Sequence, residues 1–95
     1  LRYEVDDANL PAFLDEMHKL GKSRQRDGAV SWHVFADATQ PGSYVETYMI
    51  NTWLDHLRQH ERISKQDAEI QYRIRTLLQP GSEPVVTHFV KPLPN

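Results

Sequence analysis

The chain has no cysteine in its 95 residues, which excludes a disulfide framework, thiolate catalysis and cysteine metal sites. It also lacks any apolar run near the roughly 20 residues that a bilayer-spanning helix requires, and it shows no signal peptide. A charge excess of either sign is missing too. Eleven Lys and Arg face thirteen Asp and Glu, so no broad attraction to nucleic acid is expected. The densest basic run, Lys22-Ser23-Arg24-Gln25-Arg26, has no interleaved aromatic. It falls at an expected helix end, where it complements the helix dipole. The chain begins at Leu1 rather than at methionine, which suggests a domain belonging to something longer. The absence of cysteine fits a reducing, cytoplasmic setting. A length of 95 residues allows one domain with one modest core, spanning 1–95, and a chain this small often covers its last apolar face by pairing with a copy of itself.

What is present reads in alternating periods. Leu1, Tyr3 and Val5 alternate with Arg2 and Glu4 as in a half-buried strand. Asp7 or Asn9 can cap a helix that has Pro11 in its first turn, and Leu10, Phe13, Leu14, Met17 and Leu20 form one apolar stripe before Asp27-Gly28 ends it. A second strand over 29–35 carries Trp32 and Val34 on one side and His33 and Phe35 on the other. Pro41-Gly42 turns the chain into a third strand over 44–50. Thr52 with Asp55 resembles a capping box for a helix opening at Trp53. Ser64 with Asp67 marks a second start, and the longer piece that follows buries Ile70, Ile74 and Leu77. A fourth strand is expected over Val85-Val86-Thr87-His88-Phe89-Val90.

The order β-α-β-β-α-β is the ferredoxin-like arrangement of an α+β fold. Both helices would cover one sheet face. The other face, carrying Trp32 or Phe35 with Tyr48 and Phe89, would be an apolar patch too large for a monomer. Two such faces packed together give the expected homodimer, a dimeric α+β barrel.

The stretch from Glu46 to Glu61 holds most of the candidate chemistry. On a helical wheel starting at Trp53, His60 falls about 20° from it, on the buried stripe, and His56 about 60° away at its edge. Histidines four residues apart can share a metal ion, with His88 or Glu61 as a third ligand. Leucine follows His56 and no glutamate lies between the histidines, so the zinc-protease pattern is not met and no metal is expected. His88 lies between Val86 and Val90 on one strand face. Glu46 in strand 3 should form a structural ion pair, with Arg73 or Arg75 as partners.

Several words in order carry a family resemblance. They are Arg26-Asp27-Gly28-Ala29, Trp32 with Phe35, Pro41-Gly42, Tyr44-Val45-Glu46-Thr47, Trp53, and His56-Leu57-Arg58-Gln59-His60-Glu61-Arg62, closed by Pro84-Val85-Val86-Thr87-His88-Phe89-Val90. With them the chain resembles the soluble C-terminal domain of bacterial major facilitator transporters in the transmembrane secretion effector group. That domain is similar to the antibiotic biosynthesis monooxygenase superfamily of dimeric α+β barrels. The resemblance implies a noncatalytic accessory domain at the inner face of the membrane, attached to a transmembrane permease domain in the same chain. It would promote dimerisation or sense a ligand.

The superfamily also implies an alternative, a cofactor-independent monooxygenase acting on a small aromatic, phenolic ligand. His60 would then be the base, and Asn51 or Trp53 the donor to the substrate oxygen. Trp32, Tyr48, His56, Tyr72 and His88 would line the pocket. Haem-degrading relatives use an asparagine in strand 1 and a histidine further along helix 2. The segment 1–5 has no asparagine and 64–78 no histidine, so no cofactor is expected.

Overall fold

The computed structural model describes residues 1–53 and 65–92. Among these residues the chain forms a small α+β unit with strands β1 (Arg2–Glu4), β2 (Ser31–Ala36) and β3 (Ser43–Met49), and helices α1 (Leu10–Arg26) and α2 (Lys65–Thr76). The sheet is antiparallel in the order β1-β3-β2. Its register sets Tyr3 beside Tyr44, Trp32 beside Tyr48, and Val34 beside Glu46. Because side chains alternate across a strand, Tyr3, Trp32, Val34, Tyr44, Glu46 and Tyr48 share one face.

That face packs against the helices. Phe13, Met17 and Leu20 of α1 and Ile70 and Ile74 of α2 form the buried core with Tyr3, Val5 and Leu78. The helical periodicity explains this selection, since 13, 17 and 20 return to the same side of α1. Leu14 falls at the edge of that stripe and is partly exposed. The start of α1 is built differently from either simple cap. A 3-10 turn over Asp7–Asn9 precedes the helix, and the Asp6 side chain accepts a bond from the Ala8 amide. Asn9 makes no side-chain cap to α1 and instead donates to the Leu77 carbonyl at 3.4 Å.

The opposite sheet face is open. It carries His33, Phe35, Thr47 and Met49, all exposed, with Phe35 at 54% and Met49 at 65%. Tyr48, expected on this face, lies on the helix side, because its register places it with Trp32 rather than with Phe35.

The expected fourth strand is reduced to one bridge. Val85 exchanges both backbone bonds with Arg2, at 2.8 and 3.0 Å. Among the described residues this is the one bridge that joins the segment after Pro84 to the sheet. Val85, Val86, Phe89 and Val90 are more than half exposed. Gly42 closes the turn between β2 and β3 with φ at +85°, a conformation that disfavours any side chain.

Candidate functional site

The alternation of β3 carries Glu46 inward, into the space beneath the C-terminal half of α1. Its side chain is fully buried. Burying a carboxylate costs several kcal/mol unless opposite charge and donors surround it. Here the Tyr3 hydroxyl donates to Oε1 at 2.9 Å, and the Trp32 indole N–H donates to Oε2 at 2.8 Å. Arg24 completes the clamp through Nε to Oε2 at 3.1 Å and Nη2 to Oε1 at 3.4 Å. Residues 3, 24 and 32, from three different elements, therefore converge on the Glu46 carboxylate.

The electrostatics follow from that burial. Desolvation pushes the Tyr3 phenol far above its ordinary value, and the adjacent Glu46 charge and hydrogen bond add to the shift. Desolvation opposes the Arg24 cation, but the charge and hydrogen bonds of Glu46 outweigh it, so its pKa rises. The guanidinium carbon lies 4.6 Å from the centre of the Tyr48 ring, within cation–π range. Burial also raises Tyr48, with Arg24 acting in the other direction.

Glu46 was expected to pair with Arg73 or Arg75. It pairs with Arg24 instead. Arg73 reaches Glu16 at 3.1 Å and Arg75 lies 3.9 Å from Glu83. The reason is placement: α1 carries residue 24 over β3, whereas 73 and 75 sit on the exposed side of α2. The basic run at 22–26 signalled a helix end, and nothing in its local pattern pointed to a buried partner.

Beside the clamp lies a cavity of about 200 Å³ whose walls include Tyr3, Arg24, Tyr48, Asp67, Gln71 and His88. Leu20, Ile74 and Val86 supply apolar wall. Asp67 is buried on the inner side of α2 and accepts from the Ser23 hydroxyl and from Arg26 Nη2, the latter at 3.5 Å. This contact ties the end of α1 to the start of the described part of α2.

Of the residues singled out from sequence, Tyr48 and His88 line this cavity. Trp32 instead donates to Glu46 and borders a shallow hollow with Leu14, Met17, His18 and Phe35. Tyr72 is 68% exposed and does not line the cavity, while its neighbour Gln71 does. Asn51 is exposed. Trp53 is 53% exposed and meets the His88 ring edge-on at 5.3 Å. His56, His60 and Glu61 lie outside the described residues, as does most of the helix expected from Trp53. Among the described residues, no group of three His, Cys, Asp or Glu is placed to hold a metal ion. Arg24, Asp67 and Gln71 are among the wall residues that pattern reading left out.

Residues 1–93 match the family model described as Transmembrane secretion effector. The chain belongs to this family. The match covers almost the whole length and agrees with the major facilitator resemblance carried by the sequence words. No curated protein matches the chain, and no solved structure does. Among the described residues, no helix is long and apolar enough to cross a membrane.

Proposed function

We propose that the chain is an accessory domain of a major facilitator exporter, noncatalytic, which samples a small ligand in the cavity between α1, α2 and β3. It would stand at the inner, cytoplasmic face of the membrane, joined to a permease domain. The observation that carries the reading is the family match over residues 1–93. The commitment of Glu46 supports the noncatalytic part, since a general base needs a lone pair within reach of substrate. Both Glu46 oxygens are engaged by Tyr3, Trp32 and Arg24.

The open sheet face supports self-association. Phe35 and Met49 expose more than half their surface there, beside a half-buried Val45, and packing two copies of a ferredoxin-like sheet face to face would cover them. The reading is tested in the exporter that carries this domain. Cysteine at Thr47 should cross-link between copies in membranes, and Tyr48→Ala should alter export without abolishing membrane insertion. Export and cross-linking unaffected by either change would remove the basis for an accessory role.

A further inference from the structure

Each charged side chain around the cavity faces an opposite charge. Arg24 is held by Glu46 at 3.1 Å, and Asp67 by Arg26 at 3.5 Å. Asp27 lies 4.0 Å from the same Arg26, and Arg75 lies 3.9 Å from Glu83. A ligand with a net charge would meet side-chain charges that are already opposed, and would lose its own hydration. A neutral ligand with polar substituents avoids that penalty.

Arg24 supplies the fixed donor. Its bonds to Glu46 use Nε and Nη2, which leaves Nη1 with no hydrogen bond among the described residues. A guanidinium already held on one edge loses little freedom when its other edge binds. Asp67 and Gln71 on α2 can accept from a ligand N–H or O–H across the same space. Tyr48 and His88 offer ring surface. A volume of about 200 Å³ is below the roughly 300–1,000 Å³ of drug-sized sites, so it suits a single ring with one or two substituents.

We infer that the cavity takes a small, uncharged, one-ring ligand whose carbonyl or amide oxygen accepts from Arg24 Nη1 and whose N–H or O–H donates toward α2. This rests on the ligand-sampling reading above and adds to it the charge state and polar pattern of the ligand.

Three probes of nearly one shape separate the alternatives: benzamide, benzoate and benzamidine. Each is titrated at millimolar concentration into the 15N-labelled full chain at pH 8, following the amide signals of Arg24, Tyr48 and Gln71. Benzamide should shift these signals with an affinity at least about tenfold higher than either charged probe. Arg24→Lys should abolish that preference. Because that change also disturbs the clamp, Asp67→Asn provides a second arm: it removes the nearer of the two carboxylates that Arg26 faces and takes one negative charge from the wall, so benzoate should gain on benzamide. Benzoate or benzamidine binding the parent chain as tightly as benzamide, or an Asp67→Asn variant with unchanged ranking, overturns the inference while the ligand-sampling reading stands. No shift with any probe overturns both.

Discussion

Replacing Gly21 by alanine sets two physical effects against each other with opposite sign. Gly21 is buried in the middle of α1, where alanine normally stabilises a helix by about 1 kcal/mol. A Cβ at this position would lie 2.6 to 2.8 Å from three ring carbons of Trp32. Carbon atoms pack at about 3.5–4.0 Å, so the indole would have to retreat by roughly 1 Å. It cannot retreat and keep its 2.8 Å bond to Glu46. Overpacking costs about 1–3 kcal/mol. Loss of a hydrogen bond to a charged group adds about 1.5–3 kcal/mol. After the helix gain is subtracted, Gly21→Ala should destabilise by about 1.5–5 kcal/mol, which for a chain of this size lowers Tm by roughly 6–40 °C. Thermal and urea unfolding followed by circular dichroism read this directly. In a Trp32→Ala background the steric conflict is gone, and the same substitution should stabilise by up to about 1 kcal/mol. A Gly21→Ala single variant as stable as the parent, or more so, would falsify the close packing of Trp32 on α1.

Glu46→Gln should cost about 3–5 kcal/mol in urea unfolding, because it strands the Arg24 cation, whose side chain is 19% exposed. Pairing Arg24→Met with Glu46→Leu should recover much of that loss, and equal instability of the single and double variants would argue against a charge-pair origin. Asp37 is held at about 2, below its ordinary 3.8, first by the Thr39 backbone N–H and then by Arg2. Its lowered value means its contribution is present above about pH 4 and is lost as pH falls toward 2, so Asp37→Asn should flatten the acid limb of the stability curve between those values. Tyr3 shifts the other way: its raised pKa favours the neutral phenol in the fold, so its contribution is complete below about pH 10 and declines above it. Ultraviolet titration of the four tyrosines should therefore show one that ionises only together with alkaline unfolding. Tyr3→Phe should remove that late step.

The apolar stripe Phe13, Met17 and Leu20, the buried pair Ile70 and Ile74, and the β2 to β3 hairpin are all legible in the linear pattern. Each depends on a period of 3.6 or 2 within one element, or on a turn signal such as Pro41-Gly42. The fourth strand expected over 85–90 forms only the Arg2–Val85 bridge, since the composition of a strand does not by itself supply ladder bonds. Of the pocket residues that the superfamily resemblance implied, Tyr48 and His88 border the cavity, and the strand pattern marked Glu46 as needing an ion pair. It could not find Arg24, because which arginine reaches a buried carboxylate depends on where a helix crosses a sheet.

By itself, then, the sequence determined the three strands and two helices of the described residues, the side of each helix that is buried, and the family words that agree with the match over residues 1–93. Those are properties of local periodicity and of residue order. Only the tertiary structure decided that residues 3, 24, 32 and 46 close on one carboxylate, that Ser23 meets Asp67, and that Gln71 rather than Tyr72 borders the cavity. These contacts join residues 14 to 44 positions apart, and their distances are set by the packing of α1 and α2 on the sheet, which no single element encodes.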